Sequence, residues 1–210
     1  MLCVEGVSFC YSTGNPVIVD LNARFDPGEV VAVTGASGRG KSTLLYLLGL
    51  MLRPTAGSVL LDGREVSRLS DSARATLRAE RFGFVFQDAA LDPTRTVLDN
   101  VVETALYAGM SRNEALAKAE HLLSRFGVSV RALAKPGQVS GGQAQRIALC
   151  RALLNSPDVL LADEPTGNLD PLSADLVIGA FHEHARSGNV VIVVTHDPVL
   201  VSRCTRRVEL

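Results

Sequence analysis

The stretch "VVAVTGASGRGKST" at 30–43 decides the fold. Val30 to Val33 are apolar without a break, the pattern of a strand buried on both faces. Gly35, Ala36, Ser37, Gly38, Arg39, Gly40, Lys41, Ser42 and Thr43 then match G-x-x-x-x-G-K-[ST]. Glycines at these places let backbone N–H groups turn inward around a phosphate chain. The helix that opens behind them adds partial positive charge. Lys41 is placed to reach β- and γ-phosphates, and Ser42 to offer its hydroxyl to Mg²⁺. The run that follows, "LLYLLGLML" at 44–52, suits a buried helix and is far too short to span a bilayer.

Other strand ends carry matching chemistry. "VLLADE" at 159–164 puts two carboxylates at the C-terminal end of a buried strand, the edge where open α/β sheets hold ligands. Asp163 is expected to hold Mg²⁺ through water. Glu164 is expected to act as general base or to orient the attacking water. His196 follows "VVIVVT" at the end of another strand and is expected to face a phosphate. Gln87 follows "FGFVF" and is expected to touch Mg²⁺ or the water, a plain loop residue being the alternative. Tyr11 ends the first strand, where its ring either stacks on adenine or packs into the core.

Around these motifs the chain reads as one domain over 1–210. Strands are expected at Leu2–Phe9, Ile18–Phe25, 58–61, 82–86, 158–163 and 189–195. From Thr96 to Leu154 the patterning is helical, with an S-x-x-E box at Ser111 and Glu114 and a stop at Gly127. Asp170-Pro171 and Asp197-Pro198 look like helix starts. Strands alternating with helices predict a mostly parallel sheet covered on its faces.

Composition narrows the function classes. The 210 residues are 47% hydrophobic and 20% charged, with a formal net charge of −1, which gives no general attraction to nucleic acid or anionic lipid. Cys3, Cys10, Cys150 and Cys204 show neither CxxC spacing nor a paired framework, so a reduced, cytosolic protein without structural zinc is expected. The N-terminus lacks the pattern of a signal peptide, and no appended regulatory domain is expected after the last strand. Any membrane role is expected to run through a partner.

One stretch has no place in a single-chain phosphate site. "VSGGQAQR" at 139–146 sets Gly141 and Gly142 at the mouth of a helix, where interior glycines cost about 1 kcal/mol each against alanine. An S-x-x-Q capping box explains Ser140 and Gln143 but not the glycines.

"GASGRGKST", Gln87, "VSGGQ", "VLLADEPTGNLD" and "TH" at 195–196 together resemble the ABC ATPase cassette, in order and in approximate spacing. The resemblance covers essentially the whole chain. "LLADEPTGNLD" resembles the branch that includes the lipoprotein-release, macrolide-exporter and cell-division ATPases. The resemblance implies a P-loop NTPase of the RecA-like α/β type. It implies an N-terminal antiparallel β region and a helical subdomain at about 88–155. It also implies a head-to-tail homodimer that sandwiches two ATP molecules. Each site would take Tyr11, the P-loop, Gln87, Asp163, Glu164 and His196 from one subunit, and Ser140, Gly141, Gly142 and Gln143 from the other. Asp170 would lie in a loop crossing the interface. Two positions depart from the usual pattern: Val139 replaces leucine, and Arg39 occupies a place that is often small.

The resemblance further implies an integral membrane permease on the cytoplasmic face of the membrane, docking near residues 87–101. Leu91 and Val97 are expected to be exposed there, local packing being the alternative. Export or extraction of a substrate is expected, and signalling through a membrane partner without transport is the second reading. A DNA-associated ATPase is disfavoured because no long coiled coil separates Lys41 from Ser140. A small-molecule kinase would leave "VSGGQ" without a role.

Overall fold

The computed structural model describes residues 1–11 and 14–210. The chain opens with β1 (Leu2–Phe9) and β2 (Ile18–Phe25), antiparallel, with Leu2 opposite Phe25. β3 (Val30–Thr34) is buried along its whole length and leads into α1 (Lys41–Leu48). β4 (Ala56–Leu61) returns to pair with β1, and the two-residue β5 (Arg64–Glu65) completes a four-stranded antiparallel sheet in the order β2-β1-β4-β5.

After α2 (Asp71–Arg81) comes β6 (Phe82–Val85), and then α3 (Val97–Tyr107), α4 (Arg112–Arg125) and α5 (Gly141–Leu153). β7 (Val159–Asp163), α6 (Pro171–Arg186), β8 (Val190–Val194), α7 (Pro198–Arg203) and β9 (Arg206–Glu209) finish the chain. The second sheet has the order β6-β7-β8-β3-β9, with every pairing parallel. β6 and β7 are neighbours in this sheet, although the three-helix block lies between them in sequence.

Period-two alternation sends the buried strands' side chains to opposite faces. In β8, Val190, Ile192 and Val194 join the core under α1 and the antiparallel sheet, while Val191 and Val193 join the core that includes α3 to α6. Helix α1 has no side-chain cap and no acid in its first turn. Four fully buried leucines, Leu44, Leu45, Leu47 and Leu48, hold it in place, each worth about 1.5–3 kcal/mol of burial. Its N-terminal N–H groups are thereby left for another acceptor.

The expected strands form: 58–61 begins two residues earlier, 82–86 ends at Val85, 158–163 starts one residue later and 189–195 is shortened at both ends. Asp170 and Asp197 cap α6 and α7 with Pro at the first turn, as their sequence suggests. The helical block is not continuous: residues 126–140 hold only two 3₁₀ turns, at Ser129–Arg131 and Pro136–Gln138. Of the Ser111–Glu114 box, the hydroxyl half forms, Ser111 accepting from Glu114 N at 3.3 Å. Gly127 sits one residue past the cap of α4 with φ 66°. Three elements carry too weak an apolar signal to be read in advance. β5 has two exposed residues. α2 buries Arg74 rather than an apolar stripe. β9 reads "RRVE" and is fixed by Arg206 on Glu29 (2.9 Å) and Arg207 on Thr34 Oγ1 (2.7 Å).

Candidate functional site

The loop between β3 and α1 closes on Gly40, whose φ of 89° only glycine adopts readily. A Cβ there would also lie 2.7 Å from Val17 Cγ1. Lys41 Nζ donates to the carbonyls of Gly35 (2.9 Å) and Ala36 (3.0 Å), which holds its ammonium at the mouth of the loop. A cavity of about 750 Å³ opens above it.

The C-terminal ends of three parallel strands meet this cavity. Asp163 ends β7 and is almost fully buried, and burial raises its carboxyl above the ordinary value. A hydrogen bond from Ser42 and the charge of Lys41 act the other way, while Glu164 adds to the rise. Ser42 and Asp163 thus present hard oxygens side by side. Among the described residues no group of three His, Cys, Asp or Glu could cage a metal. The pair fits an ion such as Mg²⁺, which keeps waters and takes the remaining ligands from phosphate.

Glu164 has φ 44°, a left-handed conformation that costs a non-glycine residue about 1–3 kcal/mol. Its backbone N–H donates to Val194 O at 2.9 Å. Its carboxylate accepts from Thr195 Oγ1 (3.0 Å) and from the backbone N–H of His196 (3.1 Å). His196 Nδ1 lies 2.6 Å from Glu164 Oε1, while the ring itself is 81% exposed. Glu164 is therefore oriented by three groups at the end of β8, with one side open to the cavity.

Tyr11 and Gln87 also line this cavity. The Tyr11 ring meets Phe9 edge-on at 4.9 Å, and its hydroxyl pairs with Thr43 Oγ1 at 3.0 Å, although the residue stays exposed. It is thus a surface aromatic, not a core one. Gly35, Ser37, Gly38, Gly40, Lys41, Ser42 and Thr43 line the cavity, whereas exposed Ala36 and Arg39 stand outside it. Val17 is a wall residue that its sequence does not flag, being a single apolar residue between Pro16 and β2.

Ser140, Gly141, Gly142, Gln143 and Asp170 are not in this cavity. Ser140 and Gln143 form the full capping box (3.3 and 3.0 Å). A Cβ at Gly141 would meet nothing within 4 Å, and one at Gly142 would touch Leu169 Cδ2 at 3.4 Å. Gly141 therefore leaves bare backbone that no contact within the chain requires. Asp170 accepts from Ser173 N (3.0 Å) and Ser173 Oγ (2.6 Å), and these bonds lower its pKa.

A second cavity, of about 580 Å³, lies where α2, β6, α3 and α5 meet. Met51, Phe84, Phe86, Ala75 and Tyr107 give it a mostly apolar wall. Residues 87–101 reach it only through Ala90. The expectation that Val97 is exposed is wrong: it is fully buried at the start of α3, and Leu91 is half-buried against the same core.

Parallel-sheet topology, a phosphate loop, a paired carboxylate and an inserted helical block define a P-loop nucleotide hydrolase. The profile of the ABC transporter family matches residues 18–167, and the chain belongs to that family. It is 46% identical over its full length to a macrolide export ATP-binding/permease protein MacB of Rhodopseudomonas palustris, but spans only 32% of that protein. It is 44% identical to a lipoprotein-releasing system ATP-binding protein LolD 1 of Rhodospirillum rubrum, covering 100% of this chain and 94% of that one. It superposes with a TM-score of 0.93 on the dimeric post-hydrolysis state of the ATP-binding cassette MJ0796 bound to ADP and Pi, at 33% identity, covering 100% of this chain and 94% of that one. The chain is an ABC-type ATPase cassette.

Proposed function

We propose that two copies of this chain close head to tail on two ATP molecules and drive export or membrane extraction of a substrate through a separate permease subunit. The observation that carries this is the division of the motifs. The P-loop, Asp163, Glu164 and His196 share one cavity, while the exposed backbone of Gly141 stands outside it. A second copy supplying Ser140, Gly141, Gly142 and Gln143 completes the site, and Asp170 lies in the loop that crosses between copies.

Within each site Tyr11 stacks on adenine, and Lys41 with the loop's N–H groups neutralises the phosphate chain. Ser42, Asp163 and Gln87 would hold Mg²⁺, which would supply charge neutralisation of the phosphate chain. Glu164 accepts a proton from the attacking water as it adds to the γ-phosphorus, and the bond to the bridging oxygen breaks to release ADP. His196 keeps the carboxylate aimed. Ala36 and Arg39 act by loop shape and charge, since both side chains stand outside the wall.

Residues 88–155 serve as the helical unit that receives the permease. The mostly apolar cavity at Phe84, Phe86 and Tyr107 suits an amphipathic helix. Among the described residues no helix is long and apolar enough to cross a membrane. In this reading the chain sits at the cytoplasmic face against that permease. The test is gel filtration of Glu164→Gln with and without ATP. An ATP-dependent dimer is expected, and a variant that stays monomeric at saturating ATP overturns the shared-site reading.

A further inference from the structure

Arg39 is the charged residue between Gly35 and Gly40, at a place that is often small, and the loop's geometry does not call for it. Gly38 and Gly40 on either side supply the left-handed turns, with φ of 79° and 89°, and the Arg39 backbone N–H donates to Ala36 O at 3.3 Å. Its side chain is exposed and stands outside the nucleotide cavity. Among the described residues its guanidinium has no hydrogen-bond or ion-pair partner. A cation fixed on the rim of a phosphate loop, but outside the phosphate wall, is presented to the surface that closes over that loop.

Asp170 has the complementary charge. It is exposed, and its Oδ1 accepts from Ser173 N at 3.0 Å while Oδ2 accepts from Ser173 Oγ at 2.6 Å. Each oxygen keeps a second lone pair, enough for a guanidinium fork. Its loop travels with the turn at Ser140–Gln143. A Cβ on Gly142 would touch Leu169 Cδ2 at 3.4 Å and lie 3.7 Å from Asn168 O, just before Asp170. Where that turn meets the phosphate loop of a second copy, Asp170 arrives with it. Leu172, two residues on, is 82% exposed in the single chain, an apolar side chain for a second copy to cover. Excluding water there strengthens an adjacent ion pair.

We propose that Arg39 of each copy pairs with Asp170 of the partner subunit and so fixes the closed dimer at its two phosphate loops. Two-fold symmetry makes the contact twice. Both are positioning residues: they set how tightly the copies close and touch no reacting atom. The inference rests on the shared-site reading above.

The test uses Arg39→Gln and Asp170→Asn in the Glu164→Gln background at saturating ATP, read by sedimentation as the protein concentration that half-dimerises each variant. Asparagine caps a helix about as well as aspartate, so Asp170→Asn removes the charge and keeps α6. Each single substitution should raise that concentration about tenfold or more, and the double variant should raise it no further. A mixture shows whether the pair runs between copies. One Arg39→Gln chain with one Asp170→Asn chain keeps one of the two pairs, whereas a homodimer of either variant keeps none. Labelled Arg39→Gln titrated with Asp170→Asn should therefore half-dimerise about midway, on a logarithmic scale, between the parent and the single variants. A pair within one chain would be broken in both chains, and mixing would gain nothing. Multiplicative effects, unchanged dimerisation in either single variant, or a mixture no tighter than the variant homodimers overturns the pair. If the Glu164→Gln parent dimerises with ATP while any of these holds, only the pair fails. If the parent stays monomeric at saturating ATP, the shared-site reading fails with it.

Discussion

His196 Nδ1 and Glu164 Oε1 lie 2.6 Å apart, so the imidazole is tied to the carboxylate and not simply presented to solvent. Removing the carboxylate and removing the ring should therefore have different consequences. Glu164→Gln is expected to lower kcat at least about a hundredfold with nucleotide affinity retained. His196→Ala is expected to lower it less, because Thr195 Oγ1 and the backbone N–H of residue 196 still hold the carboxylate. Steady-state phosphate release compares the two. Equal losses would mean that the ring itself, and not Glu164, sets the rate.

Asp163 couples function to stability with a definite sign. Burial raises its pKa in the folded chain above the ordinary 3.8, so the folded state is favoured when the group is protonated. That contribution is complete below the unfolded pKa and is lost as pH rises through the folded one. At neutral pH the ionised, buried carboxylate opposes folding. Asp163→Asn should raise Tm at pH 7 in the absence of nucleotide, with the advantage shrinking towards about pH 4. Hydrolysis should fall with the loss of the carboxylate proposed to hold Mg²⁺. A lower Tm at pH 7 would show that the Ser42 and Lys41 interactions outweigh the burial.

Gly141 separates folding from assembly. A side chain there meets no atom within 4 Å of its Cβ. Gly141→Leu should leave Tm unchanged within about 2 °C, or raise it through helix propensity. It should still bind ATP as a monomer, yet fail to dimerise or hydrolyse. Unimpaired turnover in this variant would mean that nothing approaches the bare backbone.

The apolar cavity has its own handle in Tyr107, which is 70% exposed with its hydroxyl on Glu103 Oε1 at 2.9 Å. Tyr107→Glu puts a charge at the wall while sparing every residue of the nucleotide cavity. Pull-down of the membrane subunit should be lost with ATP affinity intact. Retained association would place the docking surface elsewhere.

What was legible in the sequence followed from backbone chemistry and burial. Continuous apolar runs announced β3, β7 and β8 because these strands are covered on both faces. Gly40, Lys41 and Ser42 announced the loop because few residues meet its φ and charge requirements. Elements held by polar contacts were silent: β9 depends on Arg206 and Arg207, and α2 buries an arginine. Val97 was misjudged because an apolar residue in a loop-like stretch has the same letters whether it starts a helix or faces solvent. Gln145 left a readable trace, a polar residue on a buried helical face, but its partner is the backbone carbonyl of Phe86, which no sequence displays.

The helical block leaves the sheet after β6 and rejoins it at β7, and these two strands pair with each other, Phe82 with Val159 through Val85 with Ala162. The sheet is thus continuous whether the excursion is long or short. The helical block can then be remodelled without shifting the register that sets Asp163 at the end of β7 beside the phosphate loop. Surface and chemistry are thereby free to change at different rates, joined only by two strands that never part.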